Sequence, residues 1–284
     1  MSKILVSGHL GFVGQHLCRK LVDNGYRFEN VDLKNGRDIR NLIPEDLQGF
    51  EYVIHLAAQA KVPLSIEKPL FTNAHNIDGT LNLLWCAKEA KVRRFIYSSS
   101  SSVYGNQDKL PLTEDMIPNP MSPYATQKLT GEYYCKNFSD LYGLETVSLR
   151  YFNIYGENMP LDGAYSACIA RFLDQKKQDK PLTIYGGEQT RDFTYVGDVV
   201  FAIMSAMHSP KIGKGEIINI GGGKNHSINE IAKAISTKHE HSPQRKGEPQ
   251  NTLADISKAN ELLKWIPETE LIQWLKNTDS VENN

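Results

Sequence analysis

Three glycines near the start of the chain, Gly8, Gly11 and Gly14, limit what this sequence can fold into more than any other feature. They follow Ile4-Leu5-Val6, a short, apolar, partly β-branched run of the kind that forms a buried parallel strand. A helical pattern over residues 15–24 comes next, with Leu17, Leu21 and Val22 on one face and Gly25 as its stop. In that order, strand, glycine turn and helix let the backbone approach a pyrophosphate and aim a helix N-terminus at its charge. The G-x-x-G-x-x-G spacing alone also suits a tight strand-to-helix turn with no ligand, so the flanking context carries the dinucleotide reading. A second strand ends at Val31-Asp32, and Asp32 stands 18 positions after Gly14. A carboxylate there suits the two hydroxyls of an adenosine ribose and repels a 2′-phosphate, which argues for NAD over NADP. Lys34 weakens that discrimination, and a solvated turn aspartate is the alternative reading.

The second constraining stretch begins with five serines at positions 98–102 and ends in Ser122-Pro123-Tyr124-Ala125-Thr126-Gln127-Lys128. Pro123 suits the first turn of a helix. On that helix Tyr124 and Lys128, at i and i+4, share one face. An ammonium beside a phenol favours the phenolate, and a tyrosine so tuned moves protons near neutral pH. Tyr-x-x-x-Lys is also an ordinary amphipathic pair; the serine-bearing strand end upstream and the glycine turn tip the balance toward chemistry.

The remaining pattern predicts further strands at residues 52–58, 94–99 and 146–150 and helices over 73–91 and 123–142. The 73–91 helix carries an apolar stripe of Ile77, Leu81, Leu84 and Trp85. Alternating strands and helices argue for an α/β fold, a Rossmann-type doubly wound parallel sheet. His55, alone among potential metal ligands there, reads as a strand histidine near the core. The second half is less regular, with helices predicted within 156–180 and at 196–207, 228–235, 256–263 and 270–276. Strands are expected at 182–187 and 217–220, and a polar loop over 239–251. We expect a dinucleotide-binding domain over 1–155, with 192–220 returning to it, and a smaller mixed α/β substrate domain over 156–284.

Charge excludes one class of partner. The chain carries 32 basic and 33 acidic side chains over 284 residues, which gives no support to nucleic-acid binding. Its apolar runs are strand-length, so no membrane span is expected. The four cysteines are far apart and the start has no signal-peptide layout, so a reduced, cytoplasmic protein without a metal site is expected.

Taken together, these pieces resemble the extended short-chain dehydrogenase/reductases, and within them the nucleotide-sugar epimerases and dehydratases. The resemblance runs from Ile4 to about Pro267. It rests on Gly8 to Gly14, Asp32, Asp38-Ile39, His55-Leu56-Ala57-Ala58-Gln59, Asn76-Ile77-Asp78-Gly79-Thr80, the serine run through Gly105, and Tyr124 to Lys128. Later pieces are Arg150-Tyr151-Phe152-Asn153-Ile154-Tyr155-Gly156, Gln189-Thr190-Arg191-Asp192-Phe193 and Arg245-Lys246-Gly247-Glu248. The resemblance implies NAD held by Gly8, Gly11, Phe12, Val13 and Gly14 at the pyrophosphate, Asp32 at the ribose, and Asp38 and Ile39 at adenine. It implies Leu56, Ala57, Ala58, Asn76, Ser98 and Tyr151 along the rest of the groove. Tyr124 would be the base, with Lys128 its partner and a cofactor ligand, and Ser100 the catalytic hydroxyl. For the substrate, a nucleotide sugar, it implies Ser100, Ser102, Tyr124, Asn153, Thr183, Tyr185, Arg191, Arg245, Glu248 and Thr252. The two arginines suit a diphosphate, although solvated loop charges remain the alternative. Two departures stand out. His9-Leu10 replace smaller residues in the glycine turn, which implies a tighter loop. Gln127 precedes Lys128 where serine is common, a change expected to be harmless.

Dehydratases and decarboxylases of this group usually place acidic residues just after the catalytic serine. Here those positions are Ser101 and Ser102. Without a second carboxylic acid, water elimination lacks its proton donor. That favours 4-epimerisation of a UDP-hexose through a transient 4-keto sugar. Thr252 stands seven residues after Arg245, where a tyrosine restricts related pockets to plain hexoses. The small side chain predicts room for an N-acetyl group, hence UDP-N-acetylglucosamine and UDP-N-acetylgalactosamine, with UDP-glucose and UDP-galactose as a second pair. A decarboxylase, dehydratase or 4-ketoreductase on a nucleotide sugar remains open, as does a non-catalytic NAD-binding sensor. The helices at 73–91 and 123–142 resemble those of an intersubunit four-helix bundle, which implies a homodimer.

Overall fold

The computed structural model describes residues 3–161, 167–243 and 250–282. Its first half contains strands β1 (Lys3–Ser7), β2 (Arg27–Val31), β3 (Tyr52–His55), β4 (Arg94–Ser100) and β5 (Glu145–Tyr151). Helices α1 (Phe12–Asp23), α2 (Val62–Glu67), α3 (Pro69–Asn73), α4 (Gly79–Glu89) and α5 (Pro123–Tyr142) connect them. In the second half come β6 (Ile154–Tyr155), α6 (Ala167–Lys177), β7 (Leu182–Tyr185), β8 (Thr190–Asp192), β9 (Thr194–Tyr195) and α7 (Val196–His208). They are followed by β10 (Lys214–Ile220), β11 (Asn225–Ser227), α8 (Ile228–Ile235), β12 (His239–Ser242), α9 (Ser257–Leu263) and α10 (Leu271–Glu282).

Six strands form one parallel sheet in the order β10-β5-β4-β3-β1-β2. The chain leaves β1 toward β2 on one side and then returns to place β3 on the other. The carboxyl ends of β1 and β3 therefore flank the point where the winding reverses, the place where open α/β sheets leave a crevice for ligand. Both faces are covered. Leu17, Leu21, Val199, Ile203, Met207 and Trp265 pack on one face, and Leu83, Leu84, Phe95 and Phe138 on the other. A third apolar cluster, with Phe172, Leu182, Ile184 and Ile231, sits under the small two-stranded sheets of the second half.

The structure corrects several sequence expectations. The helix expected over 73–91 is α3, a π-helical turn at Ala74–Asp78, and α4. On α4 it is Leu83, Leu84, Cys86 and Ala87 that are buried, while Trp85 lies outside at 44% exposure with Lys88 Nζ 4.6 Å from its ring. Val22 is likewise exposed on α1. The polar segment expected as a loop over 239–251 begins with β12, which pairs in parallel with β7 from His239↔Leu182 to Ser242↔Tyr185. The helix expected within 156–180 is present as α6.

Candidate active site

The glycine turn is fixed by contact. Gly8 has φ 77, and a Cβ on it would lie 2.6 Å from Ala57 N, the backbone following β3. A Cβ on Gly14 would stand 2.3 Å from Gly8 O. Neither position accepts a side chain, so the first turn of α1 sits directly against the loop and points its free amides into the crevice. Asp32 closes the same loop from the other side. Its Oδ2 accepts Leu10 N at 3.0 Å and its Oδ1 accepts Lys34 N at 2.9 Å. The His9-Leu10 segment is thus tied by a backbone bond to the Asp32 carboxylate.

Two adjoining hollows form the cleft. One, about 280 Å³, is lined by Asp32, Asp38, Ile39, Ala57, Ala58 and Gln59. The other, about 320 Å³, is lined by Phe12, Val13, Ser98, Ser100, Tyr124, Lys128, Tyr151, Asn153, Arg191 and Thr252. Gly8, Gly11, Leu56 and Ala58 line both. The pair forms one continuous groove over the glycine turn. The Asp32 and Asp38 carboxylates stand at one end and the tyrosine and lysine at the other, so the lining fits an extended dinucleotide. At the Asp32 end Asp38 pairs with Arg40 at 2.5 Å, and that hydrogen-bonded guanidinium holds its carboxyl below the usual range.

Helix α5 carries Tyr124 and Lys128. Ser122 Oγ caps it by accepting Ala125 N at 3.2 Å, Pro123 starts it, and Gly143 at φ 71 ends it. Tyr124 is 8% and Lys128 4% exposed. Lys128 Nζ donates to Ser98 O at 2.6 Å and lies 5.9 Å from the Tyr124 ring. Burial pushes the Lys128 ammonium down to about 8. Ser100 ends β4 and caps the short turn Ser101–Tyr104 by accepting Ser102 N at 3.2 Å, so its O–H stays available to a ligand. Ser102 Oγ has no protein partner.

The rest of the Tyr124 end comes from the second half of the chain. Asn153 Nδ2 donates to Asp192 O at 2.6 Å, Arg191 Nη1 to Thr190 O and Gln250 O at 2.9 and 3.1 Å, and Asp192 N to Thr252 Oγ1 at 3.2 Å. The Asp192 carboxylate accepts the amides of Gly222, Gly223 and Ala254 at 2.6, 3.2 and 2.9 Å. One buried acid, pushed up to about 7 by its burial, thereby joins the end of β10 to the segment holding Thr252.

Not every implied residue lies in the cleft. Thr183 Oγ1 accepts Gln175 Nε2 and donates to Glu240 on the neighbouring β12, and neither it nor Tyr185 lines the groove. Asn76 lies behind the groove at 2% exposure. Arg245 and Glu248 lie outside the described residues. Sequence reasoning passed over Ala60, Ile154 and Pro160, which line the Tyr124 end. They carry no chemistry, and only the chain path brings them there. It also passed over Glu132 and Arg150, paired beneath the serine strand. Among the described residues no cluster of metal-ligating side chains occurs, and no helix is long and apolar enough to cross a membrane.

A doubly wound sheet with a glycine turn, an aspartate after its second strand and a Tyr–Lys pair at one cleft defines a dinucleotide-dependent enzyme. Residues 4–221 match the model of the NAD dependent epimerase/dehydratase family, and the chain belongs to that family. It is an enzyme, and its cofactor is NAD. A UDP-glucuronate 4-epimerase of Thermodesulfobacterium geofontis is 37% identical over 89% of this chain and 78% of its own length. The crystallised UDP-N-acetylglucosamine 4-epimerase from Methanobrevibacter ruminantium, in complex with UDP-N-acetylmuramic acid, superposes with TM-score 0.92. It is 32% identical, with 100% of this chain and 99% of that one covered. The UDP-glucose 4-epimerase of Thermotoga maritima with UDP-glucose gives 0.91 at 34% identity, covering 99% and 98%.

Proposed function

We propose that the enzyme interconverts the C4 epimers of a UDP-hexose, with UDP-N-acetylglucosamine and UDP-N-acetylgalactosamine as the preferred pair and UDP-glucose and UDP-galactose as a second. The observation that carries this reading is the composition of the sugar end. Tyr124, Lys128 and Ser100 converge there, and no carboxylate is among the described residues that line it. Proton transfer at one hydroxyl has its base, whereas elimination of water has no second acid. NAD, when bound, supplies the acceptor and later the donor of a hydride. Tyr124 Oη takes the 4-hydroxyl proton and returns it, Lys128 supports the phenolate from the side of Ser98 O, and Ser100 donates to the sugar oxygen. Asn153 and Arg191 line the same hollow, and an amide and a guanidinium suit the diphosphate. We assign 1–155 with 192–220 to NAD and 156–284 to the nucleotide sugar.

The test is an NMR time course with UDP-N-acetylglucosamine and no added reductant. The galacto isomer is expected to appear and approach equilibrium. Release of CO₂, a stable new carbonyl, or consumption of reduced cofactor would select the decarboxylase, dehydratase or ketoreductase instead. Tight NAD binding without turnover of any nucleotide sugar would select the sensor.

Thr252 sets the sugar preference in this reading. It is 7% exposed and its Oγ1 accepts Asp192 N, so its small side chain is fixed at the cleft wall. Thr252→Tyr is expected to shift the kcat/KM ratio toward the plain hexose by about 10- to 100-fold, the scale for closing a pocket on a small group. Thr252→Ser, which keeps the hydroxyl, should leave the ratio unchanged. An unchanged ratio in Thr252→Tyr would place the discrimination elsewhere.

A homodimer through α4 and α5 belongs to the same proposal. Trp85, Tyr133, Leu141 and Tyr142 are 44–72% exposed on these helices, and Lys88 Nζ stands 4.6 and 5.2 Å from the Trp85 and Tyr142 rings. Large aromatics on an outer helical face suit burial by a second copy. Sedimentation at micromolar concentration should give the mass of two chains; the mass of one would remove the dimer.

A further inference from the structure

Gln127 stands beside Lys128 on α5, buried at 3% exposure, and does not line the groove. Its amide is held at both ends. Asn76 Nδ2 donates to Gln127 Oε1 at 2.7 Å, and Gln127 Nε2 donates to Thr72 Oγ1 at 3.0 Å. Thr72 passes its own proton to Pro69 O at 3.1 Å. Asn76 is also saturated. Its Oδ1 accepts Gln59 N at 2.7 Å, and its Nδ2 donates a second time, to Gln59 O at 3.1 Å.

The orientations follow from these partners. An Asn76 atom that accepts a backbone N–H must be oxygen, so its nitrogen faces Gln127. Gln127 therefore presents its oxygen to Asn76 and its nitrogen to Thr72, whose hydroxyl has a carbonyl to serve. Gln59 lines the adenosine end of the groove. Two side chains thus span the distance from the cofactor groove to the catalytic helix across the π-helical turn at Ala74–Asp78, an irregularity common at functional sites. A fully satisfied buried network rigidifies the elements it joins.

We propose that Gln127 is a positioning residue, which through Asn76 and Thr72 fixes α5 so that Tyr124 and Lys128 face the groove that Gln59 lines. It touches neither sugar nor cofactor. The inference rests on the epimerase reading for its kinetic test alone.

Two variants separate positioning from packing. Gln127→Met keeps length and bulk but removes both amide bonds. Gln127→Glu, neutral when buried, presents C=O to Asn76 and O–H to Thr72 as the amide does. For NAD-loaded enzyme, Gln127→Met is expected to lower kcat about tenfold at unchanged KM and NAD content, since displacements of under about 1 Å at reacting groups have effects of this size. Amide hydrogen exchange, measured with and without NAD, should rise in peptides covering 74–78 and 123–131 and stay unchanged in α1. Gln127→Glu should recover kcat to within roughly threefold of wild type at pH 6 and lose that recovery as pH rises and the carboxyl ionises. Wild-type kcat and exchange in Gln127→Met would overturn the proposal. So would equal losses in both variants at every pH with exchange raised throughout the chain, which is the signature of a general packing role. If the wild-type enzyme turns over no UDP-hexose, the epimerase reading fails and the exchange measurement still decides this one.

Discussion

Tyr124→Phe should leave the protein folded and NAD-loaded while lowering kcat on a UDP-hexose by about 10³-fold, near the middle of the range for removal of a positioned base. The phenol is 8% exposed, its backbone N donates to Ser65 Oγ at 3.1 Å, and the capped first turn of α5 does not depend on its hydroxyl. Phenylalanine fills the same space, so the loss is chemical. Lys128 gives the reaction a pH signature. Burial holds its pKa at about 8, below its usual value of 10.5. The ammonium that supports a phenolate is present below that value and lost above it. In the free enzyme kcat/KM should therefore fall as pH rises through about 8. Lys128→Met should lower kcat by roughly 10²-fold or more and remove that alkaline limb. A limb that persists in Lys128→Met would belong to another group. Near-normal turnover by Tyr124→Phe would end the base assignment altogether.

What could be read from the sequence, and what could not, follows one physical division. The strand, glycine turn and helix at the start are local: three spaced glycines and the apolar runs around them require only their own neighbours. The same holds for Tyr124 and Lys128, whose partnership is set by helical spacing alone. Features made by distant partners left no such trace. β12 has a wholly polar sequence, His239-Glu240-His241-Ser242, and is a strand because β7 offers it an edge. The π-helical turn looks like ordinary helix until Asn76 is seen gripping Gln59 and Gln127. Trp85 and Val22 misled because apolar character does not tell a helix which face is inside. Thr183 was chosen by resemblance, and its hydroxyl is occupied by Gln175 and Glu240.

Glu132 and Arg150 are the extreme case of that division, and they carry the largest expected effect on stability. Eighteen residues apart, they carry nothing in the sequence that marks them as a pair. In the fold both are 1% exposed. Arg150 Nε and Nη2 reach the two Glu132 oxygens at 2.9 and 2.8 Å, and Ser99 Oγ donates to Oε1 at 2.5 Å. The pair bolts α5 to β4 and β5 one helical turn from Lys128, directly behind the serines that face the cleft. Burial opposes the guanidinium charge, yet the bidentate carboxylate and the Tyr104 ring, 4.6 Å from Arg150 Cζ, more than offset it, and Arg150 is held firmly protonated. Removing one partner strands the other charge without water. Arg150→Met, which leaves the Glu132 carboxylate alone, is expected to cost about 3–5 kcal/mol in urea unfolding. Glu132→Gln should cost a similar amount because it leaves the arginine unbalanced. The double variant Glu132→Leu with Arg150→Met should recover most of that loss, because an apolar pair of similar volume is often no worse than a buried ion pair. Its NAD-loaded kcat then separates two roles for the pair. A near-normal kcat in the recovered protein would make it a support of the fold alone. A kcat that stays low despite restored stability would mean that the charge pair also aligns α5 against the serine strand. Single variants as stable as wild type would contradict the burial that the whole argument rests on.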